Sequence, residues 1–108
     1  MNPTTAALTD LFERIPRRHS ADNVKEIYTL VSEYEDHLIK IEAVNPYYEK
    51  HTAIFFEDLD TVRTAVKKST DNKASKKNKD DYFAEASDTL KTSIESLIEV
   101  YGDGNKTD

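Results

Sequence analysis

The chain has 108 residues, of which 33% are charged and 37% hydrophobic, and its net charge is −6. That length suits one domain with one modest core, and the apolar content is too high for wholesale disorder. Only two glycines and three prolines occur, too few for the regular turns of a β-sandwich. The lack of cysteine excludes disulfides, thiolate metal sites and cysteine nucleophiles.

The opening MNPTTAALTD has no basic stretch and no apolar core of a signal peptide. The longest apolar run, Ala53 to Phe56, is far short of the ~20 residues that cross a bilayer. The expectation is a soluble, cytoplasmic protein without a membrane partner.

Four segments carry helical periodicity. The first covers about Thr4 to Ile15, with Leu8, Leu11, Phe12 and Ile15 on one stripe. Pro16 ends it, because a residue before proline is pushed out of the α region. The second covers about Asn23 to Val44, with Ser20 or Asp22 as N-cap. Val24, Ile27, Val31, Tyr34, Leu38 and Ile41 alternate in three-and-four spacing, the seam of a left-handed bundle. Asp36 and Lys40 add a favourable pair on the outer face.

The third helix is expected from Pro46 to about Lys68. Asn45 serves as its N-cap, and Pro46 suits the first turn, where its missing N–H costs nothing. Its seam is Tyr48, Thr52, Phe55, Leu59, Val62 and Val66. A second apolar strip, Tyr47, Ile54 and Phe56, flanks that seam, so this helix needs more than one neighbour. A polar stretch over 69–80 follows and is expected to be a flexible, lysine-rich loop. The fourth helix is expected from Tyr82 to Tyr101, capped by Asp80 or Asp81. Its core stripe is Phe83, Ala86, Leu90, Ile94, Leu97 and Tyr101. Gly102 suits a left-handed position after its end, and 102–108 reads as a disordered tail.

Matched helix lengths and a common seam spacing imply an all-α fold. The expectation is a single domain over 1–108, an antiparallel up-down-up-down four-helix bundle with a short first helix. The structural rival is an open three-helix arrangement that dimerises to complete its core.

Candidate chemistry is sparse. Arg14-x4-His19 resembles the Arg-x4–6-His motif of the HEPN ribonucleases, whose members are helical bundles. Pro16 inside the motif keeps Arg14 and His19 off one helix face, so a surface histidine among arginines is the favoured reading. His37 and His51 sit beside the seams, and a histidine in a four-helix bundle resembles the histidine phosphotransfer domain. Such a site needs small residues around the histidine. Here Glu33, Glu35 and Asp36 surround His37, and Phe55 and Phe56 follow His51. Glu33 and His37 share a face, but the Glu-x-x-His motif of di-metal bundles is missing. Glu57-Asp58-Leu59-Asp60 lacks the spacing and glycine of a calcium loop. No enzyme activity, metal or cofactor is expected.

Two partner readings remain. Tyr47, Ile54 and Phe56 form the candidate partner-binding strip, since tyrosine is enriched at protein contacts. With the acidic body they suggest a non-catalytic adaptor, inhibitor or regulator, whose protein partner is a foreign chain or a second copy. The alternatives are a histidine phosphotransfer-like bundle carried by His37 or His51 and a nucleic-acid-associated protein using the 67–79 lysines. Between Lys67 and Lys79 six lysines face only Asp71, a local +5, while everything else sums to −11. Two arguments stand against nucleic acid. The segment has no arginine, and the acidic remainder repels polyanions within a Debye length of about 8–10 Å.

Overall fold

The computed structural model describes residues 2–107. They form four helices packed against one another: α1 (Pro3–Arg14), α2 (Ala21–Glu42), α3 (Pro46–Ser69) and α4 (Lys76–Tyr101). α3 packs on both α2 and α4, while α1 lies against α2 and α4. The overall dimensions are 47 × 24 × 17 Å.

Local chemistry sets the boundaries. Asn2, Ser20, Asn45 and Ser75 each accept a hydrogen bond from an amide of the following first turn. α1 stops at Arg14, and Ile15 is already extended ahead of Pro16. Ser20, not Asp22, caps α2, which therefore begins at Ala21.

The core joins the expected seams. Leu8, Leu11, Ile27, Val31, Tyr34, Leu38, Tyr48, Leu59, Val62, Phe83, Leu90, Ile94 and Leu97 are all essentially sealed from solvent. Leu30 joins them from α2. Among the described residues four polar side chains are also buried, and each has a partner. Thr52 and Ser69 donate to carbonyls of their own helix at 2.7 and 2.6 Å. Ser87 donates to the Pro16 carbonyl at 2.9 Å. Ser93 meets the Tyr34 hydroxyl at 2.7 Å, joining α2 to α4 through the core. A buried polar group left unpaired would cost about 1–3 kcal/mol.

Two expectations need correction. The polar stretch 69–80 is not all loop, because α4 begins at Lys76 and the connection covers only 70–75. Ser75 caps that start by accepting from the Asn78 amide at 3.1 Å, and Lys76 pairs with Asp80 at 3.1 Å. These first turns extend past the core, so no apolar stripe betrays them in the sequence. The tail expected to be disordered over 102–108 is tied to the body of the protein at Lys106. Lys106 donates its amide to the Tyr48 hydroxyl at 3.1 Å, and its carbonyl accepts from the Asn45 side chain at 2.9 Å. Gly102 and Gly104 have positive φ, and a Cβ on Gly104 would lie 2.6 Å from the Tyr101 hydroxyl. Only glycine lets the chain turn back this closely.

Candidate functional site

The flanks of α3 are where the candidate strip can be judged. Successive residues of a helix turn by about 100°. Tyr47 and Ile54 therefore share one flank, while Phe56 lies about 200° around the helix from Ile54. The structure does not bring the three together. Tyr47 and Phe56 are partly buried and pack against the core. Ile54 is 60% exposed, the most exposed large hydrophobic side chain among the described residues.

The Ile54 flank borders α4. Ile54, Phe55 and Asp58 form one wall of an open groove of about 440 Å³, and Asp88, Thr89, Thr92 and Ser96 form the other. Ile54 and Phe55 are its apolar lining, the α4 wall carries mainly short hydroxyl side chains, and Asp58 and Asp88 add a carboxylate to each wall. Farther along the same flank, the Tyr47 ring stacks on His51 at 4.1 Å and meets Tyr48 edge-on at 5.3 Å. The His51 Nδ1 lies 2.8 Å from the Tyr47 carbonyl.

The Phe56 flank borders α2. Two turns beyond Phe56, Arg63 reaches Glu35 of α2 at 3.2 Å. One turn beyond Glu35 stands Ile39, 52% exposed. Ile39, with Tyr28 and Val44, is an exposed apolar residue outside the seams and the candidate strip. Its signal was available, since Ile39 follows Leu38 off the α2 seam.

The titratable candidates are engaged in separate places. Arg14 donates to Glu33 at 2.9 Å, Asp10 at 3.2 Å and Glu26 at 3.3 Å. Chiefly the Glu33 bond, then Asp10, raises the guanidinium above its ordinary pKa. His19 turns instead to α4, with Nδ1 3.5 Å from Asp80 and its ring 5.5 Å from that of Phe83. Arg14 and His19 thus serve different elements. Among the described residues no three His, Asp or Glu side chains are grouped to hold a metal ion. Tyr34 has the one strongly raised tyrosine pKa: burial pushes it up, and the Asp58 charge adds to this against the Ser93 hydrogen bond.

Among the described residues no helix is long and apolar enough to cross a membrane. Compared with known proteins, the chain matches no family model, no curated protein and no solved structure.

Proposed function

We propose that the protein is a small non-catalytic interaction module, an adaptor, inhibitor or regulator, that binds another protein along the Ile54 flank of α3. The observation that carries this reading is Ile54, 60% exposed at the edge of the α3–α4 groove. An isoleucine at that site adds nothing to a core that is already closed without it. Burying its side chain under a partner would contribute about 1.5–3 kcal/mol. Tyr47 extends the surface along the same flank, and Phe56 supports it from the opposite side of the helix.

The reading takes the four helices as an up-down-up-down bundle. Its support is the meeting of opposite helix ends: Asn2 donates to the Asp103 carbonyl, and Tyr48 to the Tyr101 carbonyl. It favours a foreign partner over a second copy. A two-fold interface on this groove would bring the Asp58 and Asp88 carboxylates of both copies into one contact, and like charges across an interface are costly. A cytoplasmic setting belongs to the same proposal, and cell fractionation checks it.

The test pairs native protein with Ile54→Glu. Captured partners present with the native chain and lost with the variant, at equal melting temperature, support the reading. Equal capture by both, or a variant that unfolds, overturns it. Sedimentation of the purified chain decides the homodimer: a concentration-dependent dimer abolished by Ile54→Glu would replace the foreign partner with a second copy.

A further inference from the structure

Folding changes both obstacles to nucleic acid that the sequence presents. The first was the lack of arginine in the lysine segment. In the structure the α1–α2 connection lies along the first turns of α4. Three contacts hold it there: His19 to Asp80 at 3.5 Å, the His19 and Phe83 rings at 5.5 Å, and Ser87 to the Pro16 carbonyl at 2.9 Å. Arg17, Arg18, His19, Lys76 and Asp80 consequently line one cleft of about 360 Å³. From the other side, Lys68 at the end of α3 stands 5.6 Å from the centre of the Tyr82 ring. Two exposed arginines thus join the six lysines of 67–79 at one end of the molecule.

The second argument was repulsion by the acidic remainder. The molecule is 47 Å long, several Debye lengths of about 8–10 Å. Glu33 and Glu35 stand about 20 Å along α2 from its start at 1.5 Å per residue. Those acids are also occupied, Glu33 and Glu26 by Arg14 and Glu35 by Arg63. At the basic end itself, Asp71 is committed to its own turn through the Lys73 amide at 2.9 Å. Asp80 is shared between Lys76 and His19. Asp22 and Asp81 are further carboxylates near this end in sequence, Asp60 and Glu85 line a cleft with Lys68, and Asp88 lines one with Arg17 and Lys91.

We infer that this end of the molecule binds the phosphate backbone of duplex nucleic acid without reading its sequence. Guanidinium forks in a concave cleft match phosphate oxygens, and lysines around it add point charge. The face does not suit single strands, which are held by exposed aromatic platforms; Phe83 is fully buried and Tyr82 is partly covered. It does not suit a bilayer either. Stable membrane attachment needs an apolar insertion besides basic charge, and Tyr28, Ile39, Val44 and Ile54, the exposed large hydrophobics, all lie outside 16–20 and 67–79. In the free protein Asp80 takes the place of an external anion.

The probe is a fluorescent mixed-sequence DNA duplex titrated with the full chain at 50 to 200 mM salt. About four phosphates neutralised give a log–log salt slope near −3.6, roughly a hundredfold weakening across that range. Arg17→Ser with Arg18→Ser should reduce the slope by about two, since each cation lost releases fewer counterions. Asp80→Asn should tighten binding several-fold. Ile54→Glu should leave it unchanged, which separates this site from the α3 groove. Circular dichroism melting checks that the exposed arginine variants remain folded. The inference fails if the native chain does not bind the duplex at 50 mM salt or binds with no salt dependence. It also fails if the folded arginine variant binds as well as the native chain, or if vesicles of anionic phospholipid bind and the duplex does not.

Discussion

The two ends of the molecule are closed by different chemistry. At one end the start of α3, the end of α4 and the tail are laced together around Tyr48. Its hydroxyl donates to the Tyr101 carbonyl at 2.7 Å and accepts from the Lys106 amide at 3.1 Å. Asn45 caps α3 with its side-chain oxygen and holds the Lys106 carbonyl with its nitrogen. The groups making these bonds are buried or half-buried. At the other end the connections 15–20 and 70–75 are held mainly by local caps and by side chains open to water, with Ser87 on the Pro16 carbonyl and His19 against the buried Phe83 ring as the more sheltered ties. The difference locates stability and availability. Hydrogen bonds sheltered from water resist loss of a partner, whereas exposed ion pairs are each worth about 0–1 kcal/mol. The tyrosine end is therefore expected to hold the fold, and the lysine end to exchange its partners more readily.

Breaking this contrast requires a scale, which the shared middle supplies. Leu38 is fully buried, and Leu38→Ala should cost about 2–5 kcal/mol in urea unfolding. Tyr48→Phe tests the tyrosine end without opening a cavity. It strands the Lys106 amide and leaves the Tyr101 carbonyl with the Gly104 amide alone, so a loss of about 1–3 kcal/mol is expected, with faster amide exchange in the tail. A loss near zero would show that the lacing holds nothing. The third test concerns Tyr34, whose proton the folded state binds more tightly than the unfolded chain does. That contribution is complete below the unfolded tyrosine pKa of about 10 and fades as pH rises above it. Thermal melts from pH 8 to 11 should fall more steeply for the native chain than for Tyr34→Phe. The smallest effect belongs to the lysine end. Replacing Lys73, Lys76, Lys77 and Lys79 together by serine should change stability by less than about 0.5 kcal/mol. A loss comparable to that of Tyr48→Phe would erase the distinction between the ends.

Much of the helical order was legible before folding was considered, because burial repeats with the helical period. Val24 through Ile41 and Tyr48 through Val66 marked themselves by three-and-four spacing, and Pro16 and Asn45-Pro46 marked two boundaries. Ser93 and Ser87 did not. A serine is buried only when a particular distant atom accepts or donates its hydrogen bond, here the Tyr34 hydroxyl and the Pro16 carbonyl. The start of α4 was hidden for the opposite reason, since turns that extend past the core bury nothing and leave no stripe.

The candidate surfaces divide in the same way. Sequence alone determined that Tyr47, Ile54 and Phe56 lie off the seam of α3, because their angular positions follow from the helical repeat. Only the tertiary structure decided that Ile54 stays open beside α4 while Tyr47 and Phe56 settle onto the core. Composition determined that lysines crowd 67–79. Packing of the α1–α2 connection on α4 decided that Arg17, Arg18 and His19 share their end of the molecule. Periodicity is a property of a single helix and can be read along the chain. Proximity between residues 17 and 76 depends on how the helices pack, and no local pattern encodes it.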